Sequence, residues 1–397
     1  MAGIETYDIV VIGLGAHGSA ALWHLSRTGK KIAGIDRFHP PHQQGSSHGE
    51  SRIIRQAYHE NPLYVPLVQA AYPLWTELSE IAGRPIYQKS GGLLLGTSSS
   101  TVVNGARISA GTHKIPYEFL DATAIRNRFP EFRANEDTVA VYEHEAGILF
   151  PEAAISTFLQ TAKTNGADIF TGEQVIKIDS TASGIELTTT KAKYRTQKLI
   201  VTAGAWLNSL FPELNLPLSI RRQVLFWFAD RNKSTLASGS SANHALGSSA
   251  PIFIWEYAPG ELFYGIPDLG HGLKLGWHHG GRLIDPDELD RQIVDKAEIT
   301  EMQSMAATHL AIDPVFKKDC VCMYTSTPDE DFIIDLHPQH PNIVIASPCS
   351  GHGFKFSAII GSILADLAQK GQTDFDLSPF SINRNALIKA QKTQPEA

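Results

Sequence analysis

The stretch "YDIVVIGLGAHGSAALWHLSRTGKKIAGIDRF" near the start of the chain constrains the fold most strongly. Residues 9–12 form a short apolar run, which is typical of a buried parallel strand. Apolar residues then recur at helical spacing over 16–28, and Gly29 is the expected end of that helix. A second strand, "KIAGID", stops at Asp36. The pattern predicts a strand–helix–strand unit of parallel βαβ type.

Gly13, Gly15 and Gly18 fall in the turn between this first strand and the helix. Glycines at this spacing let the pyrophosphate of a dinucleotide approach the N–H groups at a helix N-terminus, where a Cβ would obstruct it. A carboxylate about 20 residues later, here Asp36, can accept hydrogen bonds from ribose hydroxyl groups. The motif therefore predicts a dinucleotide site, and it leaves NAD and FAD as alternatives.

The rest of the chain predicts one interrupted α/β domain and one inserted sheet. A helix beginning at Pro151 and the strand candidate "EQVIKID" resume the α/β pattern, whereas the intervening segments have mixed strand patterns that favour an antiparallel sheet. The Ser-, Gly- and Ala-rich residues 233–251 are predicted to be a surface loop. The fold class is therefore α/β, with a Rossmann-like domain and a second α+β domain built on an antiparallel sheet. The predicted limits are 1–85, 147–215 and 320–382 for the nucleotide-binding domain, 86–146 and 216–319 for the second domain, and 383–397 for a C-terminal tail.

The stretch "NIVIASPCSGHGFKFSAIIGSILADLAQKG" predicts a second glycine turn that opens a helix. A strand at 343–346 precedes Gly351 and Gly353, and Gly371 is expected to end the helix. The N-terminus of such a helix stabilises an anion, or a ring that becomes negative on reduction. The two ends of the chain therefore offer two helix N-termini to one ligand.

Composition narrows the possible partners. Lys plus Arg number 34 and Asp plus Glu 41, a formal net charge of −7, which argues against nucleic acid as a partner. The N-terminal residues lack the basic start of a secretory signal, and no apolar run approaches the roughly 18 residues of a membrane span. We therefore expect a soluble, cytoplasmic protein with no membrane partner. Its three cysteines are too few for a disulfide framework.

Five further stretches, in family order, resemble the monomeric sarcosine oxidase and N-methyltryptophan oxidase family of FAD-dependent amine oxidases over nearly the whole chain. These are "GSSHGESRIIRQAY" (45–58), "LFYGIP" (262–267), "LKLGWH" (273–278), "CMYTSTPDEDFIID" (322–335) and "SGHGFKF" (350–356). The resemblance implies a monomeric two-domain flavoprotein. It also implies a reaction in which the C–N bond of a small amino acid with a secondary amine is oxidised to an imine and O2 is reduced to H2O2.

The resemblance assigns the flavin contacts. Cys322, directly before Met-Tyr-Thr, matches the cysteine to which the family ties FAD covalently. His48 and Arg52 match family residues near the flavin and are expected to lower the pKa of that thiol, whereas Cys320 is expected only to pack. The other residues expected to contact the cofactor are Gly13, Gly15, Gly18, Asp36, Val175, Gly351 and Gly353.

The resemblance also assigns the residues that bind the substrate and activate O2. Arg55 and Lys355 match the pair that binds the substrate carboxylate, and Lys274 matches the lysine that activates O2. The alternatives are a surface ion pair for Arg55, a solvated first-turn residue for Lys355 and an exposed strand position for Lys274. The remaining predicted lining residues of the substrate cavity are His278, Tyr264 and Tyr324, for which a purely structural role is nearly as well supported.

Other functions stay open at this point. N-methyltryptophan or a cyclic amino acid such as pipecolate could be the substrate in place of sarcosine. An NAD-dependent dehydrogenase would explain the first 36 residues, and a non-catalytic flavin-binding protein would explain the motifs. A zinc site formed by Cys320 and Cys322 with His337 and His340 is disfavoured because the spacers are too short, so no metal is expected.

Overall fold

A computed structural model describes residues 4–181, 183–232, 246–247, 250–292 and 294–393. Its strands are β1 (Glu5–Ile12), β2 (Ile32–Ile35), β3 (Arg52–Ile54), β4 (Tyr87–Lys89), β5 (Gly92–Thr97), β6 (Glu118–Leu120), β7 (Thr138–Glu143), β8 (Gly147–Leu149), β9 (Asp168–Phe170), β10 (Val175–Thr181), β11 (Gly184–Thr189), β12 (Lys193–Val201), β13 (Ser219–Asp230), β14 (Ile252–Ala258), β15 (Glu261–Ile266), β16 (Leu273–Trp277), β17 (Pro314–Ser326), β18 (Ile333–His337) and β19 (His340–Ser347). Its helices are α1 (Ala16–Leu25), α2 (Val65–Ala82), α3 (Thr101–His113), α4 (Ala122–Arg128), α5 (Pro151–Thr164), α6 (Leu207–Leu210), α7 (Lys296–His309), α8 (Ser357–Lys370) and α9 (Asn385–Thr393). None of these described helices is long and apolar enough to cross a lipid bilayer. The predicted loop at 233–251 lies mostly outside the described residues.

The first sheet has the strand order β10-β11-β12-β1-β2-β9, with β19 beside β12 and β18 beside β19. Strands β19, β12, β1, β2 and β9 run parallel. Residues 9–12 of β1 are buried, and helices α1, α5 and α8 pack in the core that covers one face of this sheet. The predicted Rossmann-like α/β unit is confirmed.

The second sheet has the order β17-β13-β16-β15-β14-β5-β7-β6. Its described neighbours pair antiparallel except β14 and β5, which are parallel. These strands come from the two inserted segments and from β17, which runs through the predicted boundary at residue 320 and pairs with β13 as far as Ser326. Cys322 and Tyr324, which lie after residue 320, therefore belong to this sheet. The other predicted domain limits stay predictions.

Helix α1 is shorter than predicted, because it ends at Leu25 rather than at Thr28. The hydroxyl groups of Ser26 and Thr28 donate to the carbonyl groups of Trp23 and Leu25. Such local side-chain bonds compete with the helical pattern and replace it here by a turn. Gly29, with φ of 72°, ends that turn.

Helices α1 and α8 pack closely enough that one contact requires glycine. A Cβ at Gly361 of α8 would lie 2.6 Å from the Cβ of Ala20 in α1. The two helices also begin near one another, since the Nε2 of His17 lies 3.4 Å from the carbonyl oxygen of Gly353. This packing brings both glycine turns to one region of the molecule.

Candidate active site

The turn between β1 and α1 opens onto a cavity of about 410 Å³. A Cβ at Gly13, whose φ is 83°, would lie 2.5 Å from the carbonyl oxygen of Thr202, and a Cβ at Gly18 would lie 1.8 Å from that of Gly13. A Cβ at Gly15 would instead point to open space, with Ser47 Oγ the nearest protein atom at 3.7 Å. Gly15 lines the cavity, so the N-terminus of α1 faces a space that protein atoms do not fill.

Asp36 lies just beyond β2, on the wall of the same cavity, and is 6% exposed. Its carboxylate accepts hydrogen bonds from the backbone N–H groups of Leu14 at 2.6 Å and Phe38 at 2.7 Å. A carboxylate has about four acceptor positions, so these two bonds leave capacity for hydroxyl donors from a ligand. The predicted role of Asp36 as a ribose acceptor fits this geometry.

The second glycine turn lines the same cavity through Gly351 and Gly353, and so does Val175. Gly351 has φ of 78°, and a Cβ there would lie 2.7 Å from the ring of Tyr324. A Cβ at Gly353 would lie 1.7 Å from the carbonyl oxygen of Pro348. Both turns therefore need glycine for their own backbone geometry. The second turn leads into α8 through the 3-10 helix Phe354–Phe356, whose N-terminal residues line the cavity.

Cys320 and Cys322 lie on β17 in different environments. Cys322 is 2% exposed and lines the cavity, with its Sγ 3.8 Å from the carbonyl oxygen of Ser46. Cys320 is half-buried, and its Sγ lies 3.3 Å from the Nδ1 of His48. Cys320 therefore contacts a titratable ring as well as packing in the sheet.

The charges around Cys322 differ from the prediction. Burial raises the pKa of the Cys322 thiol, and the nearby Arg52 guanidinium offsets this only in part. Burial and the charge of Arg52 lower the pKa of His48 to about 3, so its imidazole is neutral. The expectation that His48 lowers the thiol pKa is therefore wrong, because this buried ring carries no charge. Arg52 does lie at the cavity, where it donates to the carbonyl groups of Ser46 and His48.

Arg55 is 1% exposed, so the alternative of a surface ion pair is wrong. Its Nη2 donates to both carboxylate oxygens of Glu60 at 2.7 Å, and its Nη1 donates to the carbonyl of Ala57 at 3.3 Å. Its Nε is buried without a partner, and its Cζ lies 4.5 Å from the centre of the Tyr58 ring. Burial would raise the pKa of Glu60, but Arg55 outweighs it and holds that pKa well below its usual value.

Lys355 lies beside this pair, on the wall of the same cavity, and is 6% exposed, so the solvated alternative is wrong. Its Nζ donates to the carbonyl of His352 at 2.7 Å and lies 5.1 Å from the centre of the Tyr58 ring. Burial and the charge of Arg55 lower the pKa of Lys355 to about 7. Two buried cationic groups and one carboxylate, that of Glu60, thus share this part of the wall, and a second anion would be stabilised there.

Lys274 is 2% exposed, so the exposed-strand alternative is also wrong. Its Nζ donates to the carbonyl oxygens of Gly49 and Ser51, each at 2.7 Å. Burial and the charge of Arg52 hold the pKa of Lys274 well below its usual value. Lys274 lies behind the cavity wall, and both Ser51 and Arg52 line that wall in front of it.

Tyr264, Tyr324 and His278 all line the cavity, as predicted for the substrate side. Burial raises the pKa of both tyrosines, and each also influences the pKa of the other. Burial also holds the pKa of His278 well below its usual value. These three side chains therefore form an uncharged part of the wall.

Two residues near the site, Glu60 and Glu152, were not predicted from the sequence. Only its position five residues after Arg55 could have indicated that Glu60 belongs to the site. Glu152 accepts hydrogen bonds from the N–H groups of Gly49 and Glu50, and it thereby fixes the loop that holds Lys274. No sequence motif links residues 152 and 49, since only the fold brings them together.

The described residues contain no group of three or more His, Cys, Asp or Glu side chains placed to bind a metal ion. His337, from the zinc alternative, lies 3.4 Å from a carboxylate oxygen of Glu213, and its ring packs on that of His340. The two histidines thus have contacts other than the cysteines.

The Rossmann-like sheet, the open space at Gly15 and the acceptor carboxylate of Asp36 define a dinucleotide-binding protein. A second helix N-terminus on the same cavity suits the ring system at the other end of FAD. The two glycine turns, Asp36, Val175, Arg52 and Cys322 all line this cavity and are the residues that would hold FAD there.

Comparisons with known proteins extend this result. Residues 8–367 match the family model DAO, FAD dependent oxidoreductase. The chain is 39% identical to monomeric sarcosine oxidase of Streptomyces avermitilis, over 97% of this chain and 99% of that one, and 36% identical to N-methyl-L-tryptophan oxidase of Citrobacter koseri, over 95% and 99%. Among solved structures, NikD, an unusual amino acid oxidase essential for nikkomycin biosynthesis, superposes with a TM-score of 0.79 at 24% identity, covering 95% of this chain and 97% of that one.

The chain belongs to the DAO family of FAD-dependent oxidoreductases. The resemblance predicted from the five motifs is confirmed, and the protein is an enzyme with FAD as its cofactor. The alternatives of an NAD-dependent dehydrogenase and of a non-catalytic protein are therefore set aside.

Proposed function

We propose that this enzyme oxidises the C–N bond of an α-amino acid with a secondary amine, N-methylated or cyclic, to an imine and passes the electrons to O2, forming H2O2. The observation that carries the proposal is the pair of buried cationic side chains, Arg55 and Lys355, on the wall of the FAD cavity. The names of the relatives, which act on sarcosine and N-methyl-L-tryptophan, support this substrate class.

The two cationic groups suit a carboxylate. Arg55 is already paired with Glu60, so Lys355 is the group that lacks a carboxylate partner among the described salt bridges. A substrate carboxylate would pair with Lys355 and favour its charged form, while Arg55 would add directional hydrogen bonds. The carboxylate end of the substrate is therefore expected at the part of the cavity wall formed by these two side chains.

The amine group of the substrate is expected to lie against an uncharged part of the cavity wall. Tyr264, Tyr324 and His278 are neutral, and the carboxylate of Glu60 near His278 is already paired with Arg55, so an ammonium group would have no free anion beside it among the described residues. Burial of an unpaired ammonium is costly, and this environment therefore favours the neutral amine from which oxidation proceeds. No side chain needs to act as a dedicated base if the amino acid binds deprotonated.

FAD, when bound, supplies a two-electron acceptor that can pass its electrons to O2. We propose that Lys274, a buried side chain held by two backbone carbonyl groups, stabilises negative charge that develops on oxygen. Because burial lowers the pKa of Lys274, nearby negative charge would favour its protonated form.

We further propose that Cys322 holds FAD covalently. Its Sγ lies at the cavity beside Arg52, a permanent cation that favours the thiolate. Cys349 also lines the cavity, and burial raises the pKa of both thiols, but Arg52 opposes that effect at Cys322 whereas no cationic side chain among the described residues does so at Cys349. A monomeric state and a location in the cytoplasm stay predictions.

Replacing Arg55 or Lys355 by Ala is expected to weaken substrate binding. Each change removes a charged hydrogen bond worth roughly 1.5 to 3 kcal/mol, which corresponds to about 10- to 150-fold in affinity. The measurement is the half-saturation constant for the best secondary amino acid, together with the dissociation constant of a simple carboxylate that perturbs the flavin spectrum.

Arg128→Ala is the matched control, because Arg128 makes the same pattern of bonds to both oxygens of Glu118 but lies at the surface. It is expected to leave both constants unchanged. If Arg55→Ala and Lys355→Ala also left them unchanged, the carboxylate would bind elsewhere and the proposal would lose its main support.

A further inference from the structure

His59 is a buried titratable group next to the substrate-binding arginine that the proposed reaction does not use. Its side chain is 7% exposed, and its Nδ1 is buried with no hydrogen-bond partner. That Nδ1 lies 3.4 Å from Oε2 of Glu60, the carboxylate oxygen that also accepts from Arg55. A protonated imidazole at this position would form an ion pair with Glu60.

The backbone around His59 is fixed against helix α3. A Cβ at Gly105 of that helix would lie 2.2 Å from the carbonyl oxygen of His59, and the hydroxyl of Ser109 donates to the carbonyl of Tyr58. The backbone that carries the imidazole next to Glu60 is therefore fixed by its packing on α3.

A bound carboxylate competes with Glu60 for Arg55. The Nη2 of Arg55 is committed to both oxygens of Glu60, and Nη1 donates to Ala57, so among its nitrogens only the buried Nε has no partner in this structure. Bidentate hydrogen bonding of Arg55 to a substrate carboxylate needs two N–H groups. One of these must be shared with Glu60 or withdrawn from it. A buried carboxylate that loses its cation is strongly destabilised.

We propose that His59 takes up a proton when a carboxylate ligand binds, and that the resulting imidazolium replaces Arg55 as the partner of Glu60. This inference rests on the proposed function, since it assumes that Arg55 binds the carboxylate of the substrate. His59 is thus a positioning residue that frees Arg55 for the ligand. The proton comes from the solvent buffer, adds to a ring nitrogen of the neutral imidazole and returns to the buffer when the ligand leaves.

The charges around His59 agree with such a change. The titratable groups that face His59 are Glu60, Arg55, Lys355, His352 and His278. Burial lowers the pKa of His59 to about 3 in this structure, Arg55 and Lys355 lower it further, and Glu60 opposes them. Transfer of Arg55 to a ligand, whose own charge also offsets Lys355, removes the opposing cations and leaves Glu60 to favour the charged ring.

The test is calorimetric titration of the holoenzyme with methoxyacetate, a carboxylate in which an ether oxygen replaces the amine of sarcosine. Titrations at about pH 6 in buffers of different ionisation enthalpy give the number of protons taken up on binding. At that pH Lys355, with a pKa of about 7, is already mostly charged and adds little to the uptake. We expect uptake of about one proton in the wild type and close to none in His59→Gln.

Two further variants make the result specific. His271→Gln, an exposed histidine in a loop, is expected to keep the uptake of the wild type. Glu60→Gln, which removes the charge to be compensated, is expected to abolish the uptake, and it gives an independent reading if His59→Gln folds poorly. Binding without proton uptake in the wild type, or unchanged uptake in His59→Gln, would overturn the role of His59 alone. Absence of any carboxylate binding would instead contradict the proposed function.

Discussion

Lys274→Met is expected to slow reoxidation of the reduced enzyme by O2 about a thousandfold, while substrate still reduces the flavin at close to the wild-type rate. The reason is that Lys274 is proposed to act on oxygen and to have no contact with the amino acid. A fixed cation next to developing negative charge in a buried site lowers the activation free energy by roughly 4 kcal/mol. Losing that stabilisation corresponds to about a thousandfold slower reaction.

The structure supports a role limited to one half-reaction. Lys274 is 2% exposed, and its Nζ is fixed by the carbonyl oxygens of Gly49 and Ser51, whose loop is bonded in turn to Glu152. It is not among the residues that line the cavity, whereas Arg55 and Lys355 are. Methionine has a similar length and no charge, so the change removes the cation with little loss of packing.

The two half-reactions are timed separately by stopped-flow mixing, first with substrate under nitrogen and then with O2. Lys318→Met is the matched control, because Lys318 also lies over the Trp227 ring but is 40% exposed and paired with Glu50. It is expected to behave as the wild type. Equal slowing of both half-reactions by Lys274→Met would make Lys274 a general structural residue, and normal reoxidation would leave the oxygen site unassigned.

Cys322→Ser is expected to abolish covalent flavin completely, whereas Cys320→Ser and Cys349→Ser are expected to retain it. Cys322 combines a position on the cavity wall with the neighbouring Arg52. Cys320 contacts His48 and is not among the lining residues. A serine hydroxyl is too weakly acidic to replace the thiolate as a nucleophile.

The measurement is acid precipitation followed by the mass of the flavin-bearing peptide. Yellow colour that stays with the pellet identifies covalent flavin, and colour in the supernatant identifies flavin that was held only by contacts. Retention of colour in the Cys322→Ser pellet, or its loss in Cys320→Ser, would show that the wrong thiol has been assigned.

Local patterns were sufficient where the chemistry is local. The glycine turn at residues 13–18 and the carboxylate at Asp36 form a short unit in which spacing alone fixes geometry, and the structure places them as expected. The alternation of β16, in contrast, suggested that Lys274 could face solvent. Both faces of that strand are covered, since Leu273, Lys274 and Leu275 are all buried, and no pattern in five residues reveals a second covering layer.

The electrostatics of the site could not be predicted from residue types. His48 was expected to supply positive charge, but its burial beside Arg52 keeps it neutral. Arg55 was expected to bind the substrate carboxylate, and the sequence did not indicate that Glu60 would be its partner in the folded protein. In both cases the charge state depends on desolvation and on neighbours from other elements, and these are known only once the chain is folded.

The central claim is that the enzyme is an oxidase of secondary-amine amino acids, and anaerobic mixing of the purified flavoprotein with a panel of amino acids tests it most directly. We expect sarcosine, N-methyl-L-tryptophan or L-pipecolate to bleach the visible flavin absorption, whereas glycine should not. Admission of air should restore the colour and release one H2O2 for each imine formed. The claim would be contradicted if no secondary amino acid bleached the flavin, or if the bleached enzyme stayed colourless in air.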